Sequence, residues 1–476
     1  MAETGTNESR VVCENSQGLE IDGTIIHLGR DEVVFEVYSP SAVIQSSEVL
    51  REFKIELRDQ TAYSGRAVVK NVVHTELKVV CAAALDGGWQ PQFCANELRS
   101  GQMQGLFTEH LRQWQRHYRI RPEYKLHLAD MESFFSELRL WLDQVDLRIR
   151  AASAVDYVQF QNDAAQELGA SVLPSIDALF EKFEEIVADV EPADRPLYRR
   201  FMQQRLHPLL LCAPFVHRAY TKPLGYAGDY EIVNMIARNS PEGTSLFAKV
   251  ANLYFVRQAP AIAHRNRLSR LTRRLVEESA RVGVEGRPVR IFNLACGPAF
   301  ELQTFLREHE LSNRAEITLL DFNEETINYV TNTFRELKVK CSRRTPVSCV
   351  QRSVHQLLRE SVRNPAVRGN GQQYDFVYCA GLFDYLTDSV CQRLITLLYE
   401  WLAPGGSLLI TNVDATLNDL RSFRYSLEFL LDWHLIYRSS YQFGRLVPDS
   451  LRAESHLKSD ETGVNLFLEL RKPNDG

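Results

Sequence analysis

Arg290-Ile291-Phe292-Asn293-Leu294 runs into Ala295-Cys296-Gly297-Pro298-Ala299 and then Phe300-Glu301, an apolar strand, a turn of small residues and the start of a helix. A second apolar run, Ile317-Thr318-Leu319-Leu320-Asp321, ends in an acid followed by Phe322-Asn323. A small-residue turn lets backbone approach a ligand closely, and a carboxylate after the next strand accepts hydrogen bonds from ribose hydroxyls. A pyrophosphate cradle needs G-x-G-x-x-G at a helix N-terminus. Here Pro298 and Ala299 follow Gly297. The pattern therefore points to a nucleoside without phosphates. Asn293, Ala295, Gly297, Asp321, Phe322 and Asn323 are the candidate binding residues, with Phe322 placed to lie against sugar or base.

Two further strands add candidates. Val347-Ser348-Cys349-Val350 leads to Ser353 and Val354, which offer a polar contact and an apolar ledge, and to His355, which reads as structural. Tyr374-Asp375-Phe376-Val377-Tyr378-Cys379 leads to Ala380-Gly381-Leu382-Phe383-Asp384-Tyr385. Cys379, Ala380 and Gly381 would border the same ligand. Asp384 and Tyr385 follow at the strand end. Thr387 or Asp388 can cap the next helix, Pro404-Gly405-Gly406 reads as a turn, and Ser407–Val413 as another strand.

The region before the first strand supplies the cover. Lys222-Pro223-Leu224-Gly225-Tyr226-Ala227-Gly228-Asp229-Tyr230 packs glycine, proline, tyrosine, lysine and acid into one short loop. It suits an ordered functional loop as well as a helix-to-helix turn. His264-Arg265-Asn266-Arg267 lies on the approach to the sheet and could hold an anion. Tyr226, His264, Asp384 and Tyr385 are the candidate catalytic residues. Lys222, Tyr230 and Arg265 are the candidate substrate contacts.

Those residues need a scaffold, and 476 residues suffice for two or three domains. The chain is 45% hydrophobic and 24% charged, ordinary for a soluble protein. A net charge of -6 gives no reason to expect nucleic-acid binding. Nine singly spaced cysteines lack any C-x-x-C pair. They argue against disulfides and structural zinc, and no metal site is expected. A polar N-terminus and the lack of a long apolar run predict neither a secretory signal nor a membrane span. A cytoplasmic location follows.

Residues 11–92 read as a small β-barrel domain: Thr24–Leu28, Val33–Tyr38, Phe53–Leu57, Gly65–Val69 and Lys78–Ala82 are short runs rich in β-branched residues. Their order resembles a PilZ-like barrel, although that family's R-x-x-x-R and D/N-x-S-x-x-G signature is not recognisable. A docking or dimerisation module is the plainer reading, which leaves a homodimer open. Residues 96–285 read as a helical domain or lid. Its apolar stripes are Leu98–Tyr118, Leu128–Val145 and Leu179–Val187, punctuated by Pro174, Pro192, Pro196 and Pro208. Residues 286–476 alternate strand and helix, the pattern of a doubly wound α/β sheet.

In this order, with Leu402-Ala403-Pro404-Gly405-Gly406 before a strand, the motifs from Pro288 to about Pro473 resemble the class I S-adenosylmethionine-dependent methyltransferases. The resemblance implies a Rossmann-like seven-stranded sheet with a reversed last strand and S-adenosyl-L-methionine as cofactor. Leu435–Arg438 and Asn465–Leu470 are expected to form the closing hairpin. With the barrel, the Lys222–Tyr230 loop, Gly381–Leu386 and Leu431–Arg438, the chain is also similar to bacterial synthases of 3-hydroxy fatty acid methyl esters. That likeness implies a quorum-sensing signal synthase methylating the carboxyl of a free or carrier-bound 3-hydroxy fatty acid. The alternative is an N- or O-methyltransferase of another small metabolite, which would need a base such as Asp384 or His264.

Overall fold

The computed structural model of the chain describes residues 9–14, 20–37, 44, 48–57, 60–74, 79–90, 107–108, 111, 120–152, 156–363, 373–416 and 423–474. Two compact units emerge. One holds residues 1–161, 190–217 and 243–248, the other residues 162–189, 218–242 and 249–476.

In the first unit, strands β1 (Arg10–Glu14), β2 (Glu20–Leu28), β3 (Glu32–Val37), β4 (Val49–Leu57), β5 (Gln60–His74) and β6 (Val79–Leu85) pair antiparallel. They close in the order β1-β2-β3-β6-β5-β4, with β1 returning to β4. Closure follows from alternation: in β3 every second residue, Val33, Phe35 and Val37, is buried. Val11, Ile21, Phe35, Phe53, Ile55 and Val69 fill the interior. A closed sheet leaves no unpaired edge to aggregate.

The helices are α1 (Pro122–Ala152), α2 (Tyr157–Ala188), α3 (Arg195–Leu210), α4 (Pro214–Thr221), α5 (Tyr230–Arg238), α6 (Leu246–Val256) and α7 (Ala259–Gly283). Leu128, Met131, Phe135 and Leu142 are buried along α1, and Phe183, Ile186 and Val187 along α2, as their spacing requires. The stripe expected from Leu98 to Tyr118 lies largely outside the described residues. Pro174 and Pro208 do not punctuate: each sits inside a helix, α2 and α3. Each proline forfeits one backbone hydrogen bond. Burial of Ile176, Phe180 and Phe183 beyond Pro174 outweighs that loss in α2.

The C-terminal sheet is built from β7 (Val289–Leu294), α8 (Phe300–Glu308), β8 (Ala315–Asp321), α9 (Glu324–Lys340), β9 (Val347–Gln351), α10 (Val354–Arg363), β10 (Tyr374–Cys379), α11 (Asp388–Glu400), β11 (Leu402–Val413), α12 (Arg424–Leu430), α13 (Ser440–Gly444), β12 (Ser455–Ser459) and β13 (Asn465–Arg471). Strand order is β12-β13-β11-β10-β7-β8-β9. Strands β7 to β11 run parallel, and β13 lies antiparallel to β11. All six residues of β10 are buried, as a parallel strand covered on both faces requires. Phe292, Val377 and Leu408 pack one face, and Ile291, Phe376 and Leu409 the other.

Two expectations are corrected. The closing hairpin pairs β13 with β12, not with Leu435–Arg438, which reaches the sheet through one bridge from Asp414 to Arg438. A modest alternation such as Ser455-His456-Leu457-Lys458-Ser459 suffices for an edge strand exposed on one side. Pro404-Gly405-Gly406 is not a turn between elements but an irregularity within β11. Tyr374 faces Leu402, and the register then shifts so that Phe376 faces Ser407. Gly405 takes φ 72° there.

Strand order reverses between β7, whose next neighbour is β8, and β10, whose next neighbour is β11. Open α/β sheets bind ligands beyond the strand ends at such a point.

Candidate functional site

The turn after β7 is held in an uncommon conformation. Ala295, Gly297 and Ala299 have φ of 55°, 51° and 50°, so two alanines occupy left-handed backbone. Such strain persists only where surroundings enforce it, and it clusters at ligand sites. The Cys296 N–H donates to the Leu320 carbonyl at 3.1 Å. The Gly297 N–H donates to Asp321 Oδ2 at 3.1 Å, and the Asn323 N–H to Asp321 Oδ1 at 3.1 Å. A Cβ on Gly297 would meet nothing within 4 Å, so the turn faces open space. Burial raises the Asp321 carboxyl above the usual range, against the lowering effect of the backbone donors. A carboxylate offers about four acceptor positions, and the backbone N–H groups of Asn323, Gly297 and Phe322 take up only part of that capacity. Phe322 is 50% exposed beside it, its ring 5.3 Å from that of Tyr226.

Three predicted contacts turn out to support rather than face this space. Asn323 Oδ1 caps α9 by accepting the Thr326 N–H at 2.9 Å. The Ser353 hydroxyl caps α10, accepting the Gln356 N–H at 3.2 Å, while Gln356 Oε1 accepts the Ser353 N–H. Asn293 points under the turn and donates to Glu301 Oε1 at 3.1 Å. Glu301 also accepts the Tyr378 hydroxyl at 2.6 Å, in a buried network that ties β7, α8 and β10 together. Val354 packs against the apolar layer, and His355 is exposed.

Beyond β10, Cys379 is fully buried and burial pushes its thiol up, which suits a small packing residue rather than a nucleophile. Ala380 is half-buried, and the Gly381 N–H donates to Thr411 Oγ1 at 3.0 Å with φ 89°. Asp384 is 4% exposed. Its Oδ1 accepts the Val413 N–H at 2.8 Å, and its carbonyl accepts the Ile436 N–H at 2.6 Å. Desolvation pushes its carboxyl up to about 6, with Val413, Arg267 and Arg438 opposing. Arg438, expected from the sequence only as the end of a hairpin strand, fastens this loop. It donates to the carbonyls of Phe383 at 2.8 Å and Leu386 at 2.5 Å, to Asn412 Oδ1 at 2.7 Å and to Asp388 at 2.9 Å. Tyr385 is 40% exposed, and its hydroxyl accepts the Trp433 Nε1–H at 2.8 Å.

The glycine-rich loop reaches the same edge. A Cβ on Gly228 would lie 3.0 Å from the Tyr385 hydroxyl and 3.1 Å from the Trp433 ring, so a side chain there would press on both groups. Asp229 caps α5 through the Glu231 and Ile232 N–H groups and is gripped by Arg218 at 2.8 Å. Two substrate contacts are corrected here. Lys222 Nζ is engaged by the Asp432 carbonyl at 2.7 Å and carboxylate at 3.2 Å, pinning the loop. Tyr230 turns to α9, where it bonds Glu325 at 2.8 Å and stacks on Tyr329. Tyr226 stays half-buried beside Phe322. Burial, followed by the Asp321 charge, raises its phenol.

On α7 the structure also reassigns roles. Arg265 donates to the carbonyls of Ile236 and Val256 at 3.2 and 2.6 Å, so it serves the helix packing and not a ligand. His264 lies 2.7 Å from Arg267 through Nδ1, and its Nε2 is shut off from solvent. Desolvation and the neighbouring Arg267 charge hold its pKa well below the ordinary value, which unsuits it as a base. Arg267 instead occupies the site: it is 9% exposed, and a Cβ on Gly381 would sit 3.2 Å from both its terminal nitrogens. Its signal in the sequence was the i, i+3 spacing from His264, which places both on one helix face.

No family model matches the chain, and no curated protein matches it. Solved structures do. A possible exported protein from Bordetella parapertussis is 15% identical over 64% of this chain and 97% of that one, with TM-score 0.40. An O-methyltransferase family protein from Burkholderia thailandensis is 17% identical over 46% and 60%, with TM-score 0.31. Magnesium protoporphyrin IX methyltransferase from Synechocystis PCC 6803, with bound SAH, is 12% identical over 54% and 99%, with TM-score 0.33. Likenesses this distant carry no argument about chemistry, which rests on the residues above.

Proposed function

We propose that this edge of the sheet holds S-adenosylmethionine and that the chain is a methyltransferase acting on the carboxyl group of a 3-hydroxy fatty acid. The supporting observation is the join between the Gly297 N–H and the Asp321 carboxylate at 3.1 Å. It leaves acceptor capacity on the carboxylate beside an open turn whose sequence lacks the G-x-G-x-x-G of a pyrophosphate cradle. Asp321 would take the ribose hydroxyls. The backbone of Ala295–Gly297 and of Ala380–Gly381 would border the nucleoside, and Phe322 with Tyr226 would flank it. When bound, S-adenosylmethionine supplies an electrophilic methyl group on a sulfonium.

The rest is alignment and water exclusion by the chain's own residues. A fatty carboxylate is ionised at neutral pH, by analogy with side-chain carboxyls of pKa about 4, so no proton has to be removed. That agrees with His264 being neutral and enclosed and with Asp384 being bound by Val413. The exposed face of Tyr385, steadied by Trp433, would orient the acceptor without the strong ion pairing that blunts a nucleophile. One observation favours a second reading, an N- or O-methyltransferase of another small metabolite: Asp384 is pushed up to about 6, the range of a general base.

The same proposal assigns the N-terminal barrel, whose strand order in the sequence resembles a PilZ-like barrel, to docking or dimerisation, and sets the chain in a reducing cytoplasm where its cysteines stay thiols. The deciding experiment is mass spectrometry of products from purified protein, labelled S-adenosylmethionine and 3-hydroxytetradecanoate. A base-labile labelled ester is expected. Label appearing only in amines or phenols, with a basic pH limb abolished by Asp384→Asn, would move the assignment to the second reading.

A further inference from the structure

Arg267 carries a charge that the described residues leave without a partner at contact distance. The residue is 9% exposed, and its Nε is shut off from solvent. No carboxylate among the described residues comes within ion-pairing distance of it. Its neighbours on the electrostatic scale, Asp384 and Glu301, act through space, and both are otherwise engaged: Asp384 by the Val413 N–H, Glu301 by Tyr378 and Asn293. A buried cation normally has a partner within reach, because desolvating an unpaired charge is costly.

Two donors in this cluster are orphaned. Arg267 Nε has no acceptor. Arg267 Nη2 lies 2.7 Å from His264 Nδ1. A guanidinium can only donate, so Nδ1 must accept and the imidazole proton sits on Nε2. That Nε2–H is shut off from solvent and also lacks an acceptor. Gly381 completes the arrangement. It stands two residues past the end of β10 at the switch point of the sheet, and its lack of a side chain gives the guanidinium room. Arginine presents paired N–H groups matched to a planar two-oxygen anion.

We propose that Arg267, oriented by neutral His264, is the anion-binding residue of this site and takes the carboxylate of a bound ligand. The need for an anion stands on the geometry alone. The identity of the carboxylate rests on the methyl-transfer reading, which offers two sources: the amino-acid end of the methyl donor, or the acyl acceptor. Arg267 is a binding residue in either case, and it replaces Arg265 in that role.

The test uses the full-length chain, its Arg267→Met and Arg267→Lys variants, and calorimetry with four probes: S-adenosylhomocysteine, 5′-methylthioadenosine, 3-hydroxydecanoate and 1,3-decanediol. Ligand-free Arg267→Met should melt no lower than wild type, because an unpaired charge is removed, whereas a purely structural arginine would lower the melting temperature. If the donor carboxylate is the partner, Arg267→Met loses at least tenfold in affinity for S-adenosylhomocysteine and keeps its affinity for 5′-methylthioadenosine, which has no carboxylate. If the acceptor carboxylate is the partner, both nucleosides bind as before and 3-hydroxydecanoate weakens at least tenfold, while the diol does not change. Arg267→Lys should fall between in whichever arm responds. Unchanged affinity for both carboxylates in a folded Arg267→Met overturns the proposal. A wild-type chain that binds neither nucleoside overturns the methyl-transfer reading, and Arg267 is then judged on the fatty carboxylate alone. A chain that binds none of the carboxylates overturns both.

Discussion

The N-terminal barrel and the carboxyl edge of the C-terminal sheet are built to opposite rules. Among the described residues the barrel interior encloses no charge: Val11, Phe35, Phe53 and Ile55 pack inward, and the buried Tyr63 hydroxyl donates to the Arg66 carbonyl. The sheet edge encloses Asp321, Asp384, Glu301, Arg267 and Arg438. Left-handed backbone gathers there too, at Lys222, Gly225, Ala295, Gly297, Ala299, Gly381 and Asp432. Among the described barrel residues only Glu52 and Gly87 take left-handed backbone, whereas seven such residues surround the sheet edge, a concentration of strain and buried charge that suits the proposed ligand site.

The comparison can be broken by experiment. Phe35→Ala opens a cavity in the barrel and should cost about 3–5 kcal/mol, read from chemical denaturation. Arg438→Met should cost a similar amount at the sheet edge for a different reason. It strands the carbonyls of Phe383 and Leu386 and the amide oxygen of Asn412, at about 1–3 kcal/mol each. An Arg438→Met variant as stable as wild type, beside a destabilised Phe35→Ala, would mean that Arg438 does not hold its loop. Asp321→Ala should weaken S-adenosylhomocysteine by about a hundredfold or more, since it removes two charge-assisted hydrogen bonds of about 1.5–3 kcal/mol each. Unchanged affinity by calorimetry would remove the basis of the donor site.

A subtler contrast is with pH. Asp384 moves from 3.8 in an ordinary setting to about 6 when folded. The unfolded chain therefore releases this proton first, and stability falls as pH rises from about 4 to about 6. The accumulated loss is about 3 kcal/mol, at ~1.36 kcal/mol per unit. Asp384→Asn should flatten that part of the stability profile, and a profile of unchanged slope would contradict the burial of this carboxyl. The smallest effect is expected from Ala299→Gly, which should stabilise by about 1 kcal/mol by relieving left-handed strain. In the barrel the reverse substitution fails: a Cβ on Gly23 would lie 2.7 Å from the Phe35 ring.

Much of the sheet was legible. Strand β10 and the end of β8 at Asp321 were readable because buried parallel strands are short apolar runs, bounded here by turn residues and an acid. The turn of Ala295–Ala299 was readable because small residues cluster where backbone must bend tightly. The roles of Arg265 and Arg267 were not, because two arginines two positions apart look alike until the helix is rotated into place. The β12 edge strand was hidden by its weak pattern, while the more apolar Leu435–Arg438 segment serves to carry Arg438 under the loop.

The amino-acid order alone determined the periods: two in the barrel, near 3.6 in the helices, and alternating strand and helix after Pro288. Those are local matters of side-chain spacing and backbone preference, written within a few residues of one another. Only tertiary structure decided that Lys222 meets Asp432, that Gly228 meets Tyr385 and Trp433, and that Arg267 faces Gly381. Each of these contacts joins residues more than a hundred positions apart. Their energies depend on burial and direction, and neither exists until the chain has closed on itself.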